Sequence, residues 1–476
     1  MPIFIYNSLT RKKEEFIPLK PPKVNIYTCG VTVYDECHIG HARSLYIFDV
    51  IRRYLEYRNF EVNFVRNITD IDDKIINRAQ ELKIDWRKLV EKYINSYYKD
   101  LELLGIRLGI LDGKEEPRAT KNVSDMIKYI EGLIDKGYAY ITDSGVYFSV
   151  RKFKDYGKLS GQSIDQMLTG VRKEPDETKE DPLDFALWKV SKPDEPSWPS
   201  PCGQGRPGWH IECSVMSQKF LKTDTLDIHA GGRDLIFPHH ENEIAQAEAL
   251  TDKPFAKYWI HHGLLTINGQ KMAKSLGNFV TIKDFINKYK YADILKLFFL
   301  SAHYSHPIDY NEEKMNEAKS SYDRFRILFQ KIDREFGSRD TKNLPTGMLV
   351  KNMKFFREEF EKAMDDDFNT PQALSVLFKM VNECNKILDN KEDERRFMLR
   401  HAMENVIELG NILGLSFKDI PEEKSDMWVT IAIAQREQLR KEKRYAEADD
   451  IRKMLEEKGV ILEDTKDGKT TWRRKL

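Results

Sequence analysis

The sequence predicts an α/β fold: a parallel-sheet domain split by an insertion, then a helical part and a small C-terminal α/β segment. Strand-like and helix-like segments alternate over about the first 80 residues, as they do in parallel α/β sheets. A region rich in Pro, Gly and charged loops interrupts this alternation before the α/β pattern returns. Beyond about residue 315, apolar side chains recur almost only at helical spacing.

The first strand–helix unit carries two histidines in its connecting turn. Residues 23–28 alternate like a strand, and residues 29–43 lead from that strand into a helix. Apolar side chains follow at helical spacing, at Ile47, Val50, Ile51 and Tyr54. The turn places His38, Gly40 and His41 at the helix start, where free N–H groups and the helix dipole suit a bound phosphate. Gly40 lets a flat ligand approach the backbone, although a solvated loop has the same pattern.

A second strand–helix pair completes the first half of the predicted sheet. Residues 60–68 are predicted to form a second strand, and residues 69–73 begin a helix with acidic side chains in its first turn. Ligands of parallel sheets lie at the carboxyl ends of the strands. Both Cys29 and Thr69 fall at such ends.

The α/β pattern then stops and resumes. The loop-rich region contains a helix over residues 123–136 and a hairpin-like segment over residues 138–148. The pattern resumes with a helix, a strand, a Gly-rich turn and a further helix, over residues 210–220, 225–229, 230–234 and from Pro238 onward.

The C-terminal part is predicted to be almost all helix. Thr370 as the N-cap with Pro371 at the first helical position marks one helix start. A single charged helix over residues 430–458 precedes two short segments, over residues 460–464 and 470–476. This part therefore differs in class from the sheet domain before it.

Composition excludes several classes of protein. A chain of 476 residues is too long for one compact core, so several domains are expected. Lys plus Arg and Asp plus Glu both number 77, which argues against a protein that coats nucleic acid unspecifically. No apolar run is long enough to span a bilayer, and the N-terminus lacks the features of a signal peptide. The five scattered cysteines suggest reduced thiols or metal ligands, so a cytoplasmic enzyme is expected.

Four side chains form a candidate zinc site. His239 and Glu243 are four residues apart on a predicted helix, so they share one face. Cys213 on another predicted helix and Cys29 at a strand end would complete a tetrahedral set. The sequence has no Cys-x-x-Cys pair, and cysteine is often only a small buried residue. Spacing alone therefore leaves other ligands possible, namely His240, His210, Cys37 and Cys202.

A third constellation lies in the Gly-flanked segment 269–277. Lys271 and Lys274 are three residues apart there, and they can neutralise charge that grows on a polyphosphate during transfer. An isolated Lys-x-x-Lys segment is usually only a solvated loop. Its occurrence together with the His-Ile-Gly-His turn favours phosphate chemistry.

The combined motifs resemble the class I aminoacyl-tRNA synthetases, and within them the cysteinyl-tRNA synthetases. His-Ile-Gly-His at 38–41 matches the first class signature, and Lys-Met-Ala-Lys-Ser at 271–275 matches the second. Longer motifs indicate the cysteinyl-tRNA synthetases in particular. They lie at 29–35, 67–74, 206–214, 237–246 and 365–371, and the closing Trp-Arg-Arg belongs to them. Two positions depart from the usual pattern. Ala273 replaces a Ser, and Cys202 stands where Trp is frequent, which leaves Cys202 outside the expected metal set.

The resemblance implies a two-step reaction: ATP activates L-cysteine to cysteinyl-adenylate, and the cysteinyl group passes to the 3′-terminal adenosine of tRNA(Cys). One Zn²⁺ per chain would select the substrate thiolate, and Mg²⁺ would accompany ATP. The zinc ligands would be Cys29, Cys213, His239 and Glu243. The catalytic residues, which also bind ATP together with Gly40, would be His38, His41, Lys271 and Lys274. Contacts to the amino acid or the ribose would come from Thr69, Trp209, His229 and Asp234.

The resemblance also implies a domain organisation. A Rossmann-like catalytic domain in two halves encloses an insertion that contacts the acceptor end of tRNA. A stem-contact region with the lysine loop, a helical-bundle anticodon-binding domain and a small C-terminal domain follow. The expected boundaries, in chain order, are 1–112, 113–205, 206–260, 261–314, 315–425 and 426–476. A monomer without membrane contact is expected.

Two other functions fit part of the sequence. A related ligase transfers activated cysteine to an amino sugar, but it lacks the C-terminal anticodon-binding part that this chain keeps. A zinc-bearing RNA-binding protein without catalysis would leave the paired His and Lys motifs unexplained.

Overall fold

The chain forms two compact units. The computed structural model describes residues 1–110, 115–168, 178–273, 276–336, 351–389, 395–417, 427–464 and 470–474. The larger unit comprises Met1–Lys319, Lys351–Lys379 and Val406–Ser416. The smaller unit comprises Ser320–Val350, Met380–Asn405 and Phe417–Leu476. Within the described ranges, no helix is long and apolar enough to cross a membrane. The six domain boundaries expected from the sequence remain predictions.

The first part of the larger unit alternates strands and helices. An antiparallel pair, β1 (Phe4–Asn7) and β2 (Lys12–Glu15), comes first. The elements that follow are β3 (Lys23–Thr32), α1 (Ile39–Tyr57), β4 (Glu61–Thr69), α2 (Asp73–Leu82) and α3 (Trp86–Leu104). The four apolar residues expected on one face of α1 are all buried, which confirms the predicted strand–helix unit.

The insertion contains a second sheet. Its elements are α4 (Val123–Asp135), β5 (Ala139–Thr142), β6 (Gly145–Phe148), the short α5 (Ile164–Leu168), β7 (Phe185–Val190) and β8 (Gly205–Pro207). The four strands are antiparallel in the order β5-β6-β7-β8. The predicted helix and hairpin are confirmed. The last two strands were expected to be loops, because they are short and lie among Pro and charged residues.

The α/β pattern returns with α6 (Trp209–Leu221), β9 (Leu226–Gly232), α7 (Glu241–Thr251) and β10 (Ala256–His262). Two details differ from expectation. The predicted Gly-rich turn is partly strand, because β9 keeps pairing with β10 as far as Gly232 opposite His262. Regular helix begins at Glu241 and not at Pro238, because Phe237, which precedes the proline, is extended at φ −138° and ψ 131°.

The central sheet of the larger unit is parallel. Its strand order is β10-β9-β3-β4, and every pair in it is parallel. Burial at the interior positions is nearly complete, as at Tyr27, Val65 and Ile228. Sheets of this kind are covered on both faces by helices. The predicted fold class is confirmed, and the carboxyl ends of the strands share one edge.

A small three-stranded sheet follows the central sheet. The elements of this region are β11 (Leu265–Ile267), β12 (Gln270–Lys271), α8 (Ile282–Tyr289), α9 (Ala292–Leu300) and β13 (Ile308–Tyr310). In the order β12-β11-β13, the strand β11 is antiparallel to β12 and parallel to β13. This sheet carries Lys271.

The described residues that come next form four long helices, in the region predicted to be almost all helix. They are α10 (Glu312–Phe336), α11 (Lys351–Asp365), α12 (Thr370–Asp389) and α13 (Arg395–Ile412). The cap of α12 differs by one residue from the prediction. Thr370 is already helical, and the Asn369 Oδ1 accepts a hydrogen bond of 3.2 Å from the backbone N of Gln372. Asn369 therefore caps the helix, a role for which asparagine is as suitable as threonine.

The last segment has two helices where one was predicted. They are α14 (Met427–Lys441) and α15 (Tyr445–Glu457), which are separated at Lys443 with its φ of +63°. The strands β14 (Val460–Asp464) and β15 (Thr470–Arg474) then pair antiparallel.

Tertiary packing explains this break. Val429 and Ile433 of α14 share a buried cluster with Leu455 of α15. One continuous helix could not bring these faces together, so the chain folds back. Residues 442–444 contain neither Gly nor Pro, and no local signal therefore marks the break.

Candidate active site and metal centre

An irregularity in β3 presents Cys29 at the edge of the central sheet. The register between β3 and β4 shifts between Thr28 and Val31, and such bulges redirect side chains. Gly30 makes the shift possible, because a Cβ there would lie 1.6 Å from the carbonyl oxygen of Asn67. The Asn67 Oδ1 also accepts a hydrogen bond of 2.9 Å from the backbone N of Gly30. The strand end that carries Cys29 is thus fixed from β4.

The four predicted zinc ligands meet in one cluster, which we call the metal cluster. Ligand atoms of Cys29, Cys213, His239 and Glu243 all lie within 4.8 Å of one another. The Glu243 Oε1 lies 2.8 Å from the His239 Nε2 and 3.4 Å from the Cys29 Sγ. The His239 Nε2 lies 3.6 Å from the Cys213 Sγ. Two thiols, an imidazole and a carboxylate are donors that suit tetrahedral zinc.

A second group of donors overlaps the metal cluster. Cys29, His229, His240 and Glu243 also offer atoms within 4.8 Å of one another. The His229 Nε2 lies 2.6 Å from the Glu243 Oε2, and the His240 Nε2 lies 3.3 Å from the Cys29 Sγ. The sequence left His240 open as a ligand and did not consider His229 as one. Because thiolates are the softer donors, the set with two cysteines is the better match to zinc.

Buried charges of opposite sign stabilise one another in the metal cluster. Burial alone would raise the pKa of Glu243, but His229 and His239 hold it well below its usual range. Burial alone would lower the pKa of His239, but Glu243 and then Cys213 raise it to about 10. The cluster therefore holds a carboxylate beside an imidazolium when no cation is bound.

The two cysteines of the cluster differ in acidity. Burial raises the pKa of Cys29 well above its usual value, and the neighbouring Cys213 raises it further. Burial acts in the same direction on Cys213, but hydrogen bonding from Cys29 and contact with His239 lower its pKa to about 6. One thiolate is thus available near neutral pH, as a divalent metal requires.

Further histidines hold the cluster from outside. The His210 Nδ1 lies 3.0 Å from the His239 Nδ1. The His240 Nδ1 lies 2.8 Å from the His261 Nε2, and the His261 Nδ1 lies 2.8 Å from the Ser8 Oγ. Burial lowers the pKa values of His210 and His240 well below normal, which keeps both rings neutral. Such bonds to the second ring nitrogen commonly orient metal-binding histidines.

The other three alternative ligands lie outside both donor groups, although His210 contacts His239. In the described part of the chain, Cys37, Cys202 and His210 belong to neither donor group. Burial raises the pKa of the Cys37 thiol, which disfavours the thiolate that a metal would need. The structure therefore reduces the open alternatives to His240.

The two signature histidines cap α1 reciprocally. The His38 Nδ1 accepts a hydrogen bond of 3.2 Å from the backbone N of His41, and the His41 Nδ1 accepts one of 3.3 Å from the backbone N of His38. Their rings stack with centroids 3.7 Å apart. Burial lowers the pKa of His38 to about 4 and that of His41 well below normal. Both rings are therefore neutral, and because each Nδ1 accepts, each ring carries its proton on Nε2.

Gly40 serves the turn itself. A Cβ at Gly40 would lie 2.9 Å from two atoms of the His38 ring and 3.5 Å from the Met272 Cε. The glycine therefore allows the ring of His38 to lie against the backbone, and it brings the turn close to the lysine segment.

The lysine segment is described only in part. Lys271 is exposed at the end of β12, and its carbonyl oxygen accepts a hydrogen bond of 3.2 Å from the Asn278 Nδ2. The Asn278 Oδ1 accepts one of 2.9 Å from the backbone N of Ala273. Lys274 lies outside the described residues.

The four expected contacts to amino acid or ribose differ in accessibility. Thr69 is buried, and its hydroxyl donates to the Glu212 Oε2 at 2.7 Å. His229 is buried against Glu243 in the second donor group. Trp209 is exposed and stacks on the imidazole of His239 with centroids 4.0 Å apart. Asp234 is exposed just after β9. Their contacts to substrate stay predictions.

Two polar residues behind the site were not predicted as functional. Asn67 donates from Nδ2 to the Thr69 Oγ1 at 3.3 Å. Glu212 accepts from the same hydroxyl, and burial raises the pKa of its carboxyl group well above normal. Both residues lie inside the quoted motifs, but only the tertiary contacts reveal that they orient Thr69.

Comparison with known proteins identifies the family. Residues 15–320 match the model described as the class I (C) tRNA synthetase catalytic domain, and residues 359–418 match the DALR domain. Proteins named cysteine–tRNA ligase from Thermodesulfovibrio yellowstonii and Geobacillus thermodenitrificans are each 48% identical to this chain, over 99% of both chains. The chain belongs to the cysteine–tRNA ligase family. Members of this family are ligases of the class I aminoacyl-tRNA synthetase group, and the chain is such an enzyme.

Solved structures of other aminoacyl-tRNA synthetases share the fold of this cysteine–tRNA ligase family member. Mycobacterium tuberculosis methionyl-tRNA synthetase with methionyl-adenylate has a TM-score of 0.60 at 14% identity, over 86% of this chain and 94% of its own. LeuRS of Agrobacterium radiobacter, in a ternary complex with tRNA and LeuAMS, has a TM-score of 0.62 at 11% identity, over 84% and 85%. At such low identities the likeness concerns the fold, and it confirms the predicted α/β class.

Proposed function

We propose that this enzyme activates L-cysteine with ATP and transfers it to tRNA(Cys). A carboxylate oxygen of cysteine attacks the α-phosphorus of ATP, the bond to the β-phosphate oxygen breaks, and pyrophosphate leaves. A hydroxyl of the 3′-terminal adenosine, first the 2′-hydroxyl, then attacks the carbonyl of cysteinyl-adenylate and displaces AMP. The observation that carries the proposal is the thiolate-rich metal cluster in a chain 48% identical to named cysteine–tRNA ligases.

The metal cluster is suited to bind a zinc ion, and this ion would select cysteine as the substrate. Cys29, Cys213, His239 and Glu243 would hold one ion. When bound, zinc supplies a thiophilic Lewis acid that accepts a sulfur as thiolate much more readily than it accepts a hydroxyl. Cysteine and serine differ by one atom, which the shape of a pocket discriminates poorly. The exposed indole of Trp209 beside the cluster would then cover the bound side chain.

The neutral histidines would bind ATP through hydrogen bonds. Because Nδ1 of each ring is occupied by a backbone N–H, the Nε2–H groups of His38 and His41 are the donors left for phosphate oxygens. The positive charge that the departing pyrophosphate requires would come from Lys271 and Lys274. Mg²⁺ would accompany the nucleotide.

The first step needs no general base. The substrate carboxylate is already ionised at neutral pH and is itself the nucleophile. The residues of the site therefore act by positioning the two substrates and by stabilising charge on the phosphates.

The proposed partners beyond the catalytic part follow from the domain prediction. We place the acceptor end of tRNA(Cys) on residues 113–205 and the anticodon on residues 315–425, which include the whole DALR match. We also propose a monomer that works in the cytoplasm, where cysteine thiols stay reduced. The five free cysteines agree with such a compartment.

Pyrophosphate exchange, transfer to an acceptor and elemental analysis test the proposal. Cysteine should support exchange of labelled pyrophosphate into ATP, serine should not, and tRNA(Cys) should accept the cysteinyl group. Product formation only on an amino-sugar acceptor would instead identify the related ligase. Absence of cysteine-dependent exchange from zinc-loaded protein would overturn the proposal and favour an RNA-binding protein. Elemental analysis should find one zinc per chain.

A further inference from the structure

We propose that Arg43 is a positioning residue for adenylate formation, which fixes the His38–His41 turn relative to the hairpin that carries Lys271. The inference rests on the proposed function, because it assigns Arg43 to the activation step. Arg43 is neither a proposed zinc ligand nor a proposed phosphate contact, so the inference gives it a role of its own.

Arg43 is a fully buried cation that binds only carbonyl oxygens among the contacts described for it. It is 0% exposed and lies in the first turns of α1, two residues after His41. Its Nη1 donates to the carbonyl oxygens of Gly263 at 2.7 Å and Leu264 at 2.8 Å. Its Nη2 donates to those of Tyr304 at 3.3 Å and His306 at 2.5 Å. One guanidinium group therefore clips two separate chain segments to α1.

Both clipped segments lead directly into the sheet that carries Lys271. Leu264 immediately precedes β11, and its carbonyl oxygen also accepts a hydrogen bond of 3.0 Å from the backbone N of Ile308 in β13. The strand β11 then pairs with β12, where Thr266 faces Lys271. A shift of the clipped segments would therefore move Lys271.

A glycine brings the two segments close enough for one guanidinium. A Cβ at Gly263 would lie 2.2 Å from the carbonyl carbon and oxygen of His306. The backbone N of Gly263 also donates to the carbonyl oxygen of Tyr304 at 2.9 Å. The clip thus depends on a close backbone contact as well as on Arg43.

The chain returns to the same turn after the lysine segment. The backbone N of Ile39 donates to the carbonyl oxygen of Val280 at 3.1 Å, and the backbone N of Ile282 donates to that of Cys37 at 3.0 Å. The segment between Leu264 and Val280 is therefore attached at both ends to the start of α1. Arg43 makes the side-chain part of this attachment.

The geometry requires arginine and not merely a positive charge. Within the described residues, no carboxylate forms an ion pair with Arg43, and burial lowers its pKa to about 10, so it stays charged at neutral pH. Its rigid planar fork reaches four carbonyl oxygens at once, whereas the ammonium group of lysine is a single point with three donors. Arg43→Lys should keep the charge and lose the bridge.

The test compares Arg43→Lys with a matched control on the same helix. Arg52 also donates from Nη1 to a carbonyl oxygen, that of Leu108 at 2.8 Å, but has no bond to the lysine hairpin among those described. We expect Arg43→Lys to lower kcat for cysteine-dependent pyrophosphate exchange by about a hundredfold, the cost of a misplacement of about 1 Å. KM for cysteine and zinc content should stay near those of wild type. Arg52→Lys should retain kcat.

Several outcomes would overturn the inference. If Arg43→Lys retains kcat while the wild-type enzyme exchanges pyrophosphate, the inference fails and the proposed function stands. If the wild-type enzyme shows no exchange, the proposed function itself fails. A parallel loss of Tm, zinc and cysteine affinity would assign Arg43 to stability alone. Should Arg43→Lys not fold, Gly263→Ala tests the same clip from the opposite side, and failure of both to fold would likewise assign the clip to stability.

Discussion

The metal cluster and the His38–His41 turn carry charge in different ways. In the cluster, a buried carboxylate of Glu243 is balanced by His239, and both lie within hydrogen-bond distance before any ligand binds. In the turn, burial keeps both imidazoles neutral. Lys271, the signature cation that the structure describes, is exposed on a hairpin.

This difference teaches how selection and chemistry are separated. Opposite charges in a buried cluster organise one another, so the donors would be in place for the substrate sulfur of the proposed reaction. In the proposed reaction, neutral N–H donors and a cation from the exposed hairpin would stabilise charge that appears only as pyrophosphate leaves. Changes in the cluster should therefore alter which amino acid binds, and changes in the turn should alter how fast adenylate forms.

Cys213→Ser should break the cluster and has the largest expected effect. The hydroxyl keeps the size of the side chain but does not ionise near neutral pH, so one thiolate donor is lost. We expect zinc affinity to fall by more than about a hundredfold, since loss of an outer partner alone can cost that much. The preference for cysteine over serine should fall with it. Chelator competition and pyrophosphate exchange with both amino acids measure the two effects.

Cys202→Ser is the matched control for this change. Cys202 is partly buried and belongs to neither donor group. The Cys202→Ser variant should keep the zinc affinity of wild type and its preference for cysteine over serine. Stoichiometric, tightly bound zinc in the Cys213 variant would show that the ligand set is wrong.

His41→Asn should leave the cluster intact and slow the chemistry. The Asn oxygen can replace the Nδ1 that accepts from the backbone N of His38, but the Nε2–H donor is lost. We expect kcat for pyrophosphate exchange to fall about a hundredfold, as when one donor to a developing anion is removed. KM for cysteine and zinc content should not change. His401→Asn, a change in α13, should retain activity; loss of zinc in the His41 variant would contradict the separation.

The fold was predictable from the sequence where its signals are local. Helical spacing of four apolar residues located α1, and alternation located β3. The break between α14 and α15 has no such signal, because it follows from the burial of faces far apart along the chain. The same holds for β7 and β8, which are strands only because they extend the hairpin next to them.

The site was predictable to a similar degree. Helical spacing placed His239 and Glu243 on one face, but only the family resemblance selected the two cysteines among several candidates. His229 and Arg43 meet their partners through the sheet and through backbone carbonyls. No spacing rule relates such residues to their partners, so neither contact could be foreseen.

His229→Gln should show whether His229 binds the metal itself or only supports the ligand Glu243. The His229 Nε2 lies 2.6 Å from the Glu243 Oε2 and helps to hold that carboxylate ionised, while in the described structure the His229 Nδ1 has no hydrogen-bond partner. If His229 only supports a ligand, its replacement should weaken zinc binding by about tenfold. Chelator competition measures this loss, and KM for ATP should stay unchanged. Loss as severe as in the Cys213 variant would mean that the second donor group, with His229 and His240, is the one that holds the ion.

Asp100→Asn probes a suppressed charge near the turn and has the smallest expected effect. Asp100 is buried on α3, and burial and then Glu36 raise its pKa to about 7, against the opposing effect of Lys283. The pKa of Asp in an unfolded chain is about 4, so the folded state binds the proton more tightly. The protonated form contributes its full stability below a pH of about 4, and this contribution is lost as the pH rises through about 7. Asn carries no such charge. The Tm of the variant relative to wild type should therefore be higher at pH 8 than at pH 5, by about 2 °C.

Asp135→Asn, at an exposed carboxyl group that ends α4, should show no such difference between the two pH values. An equal gain for Asp100→Asn at both pH values would show that Asp100 is already ionised in the folded enzyme at pH 5.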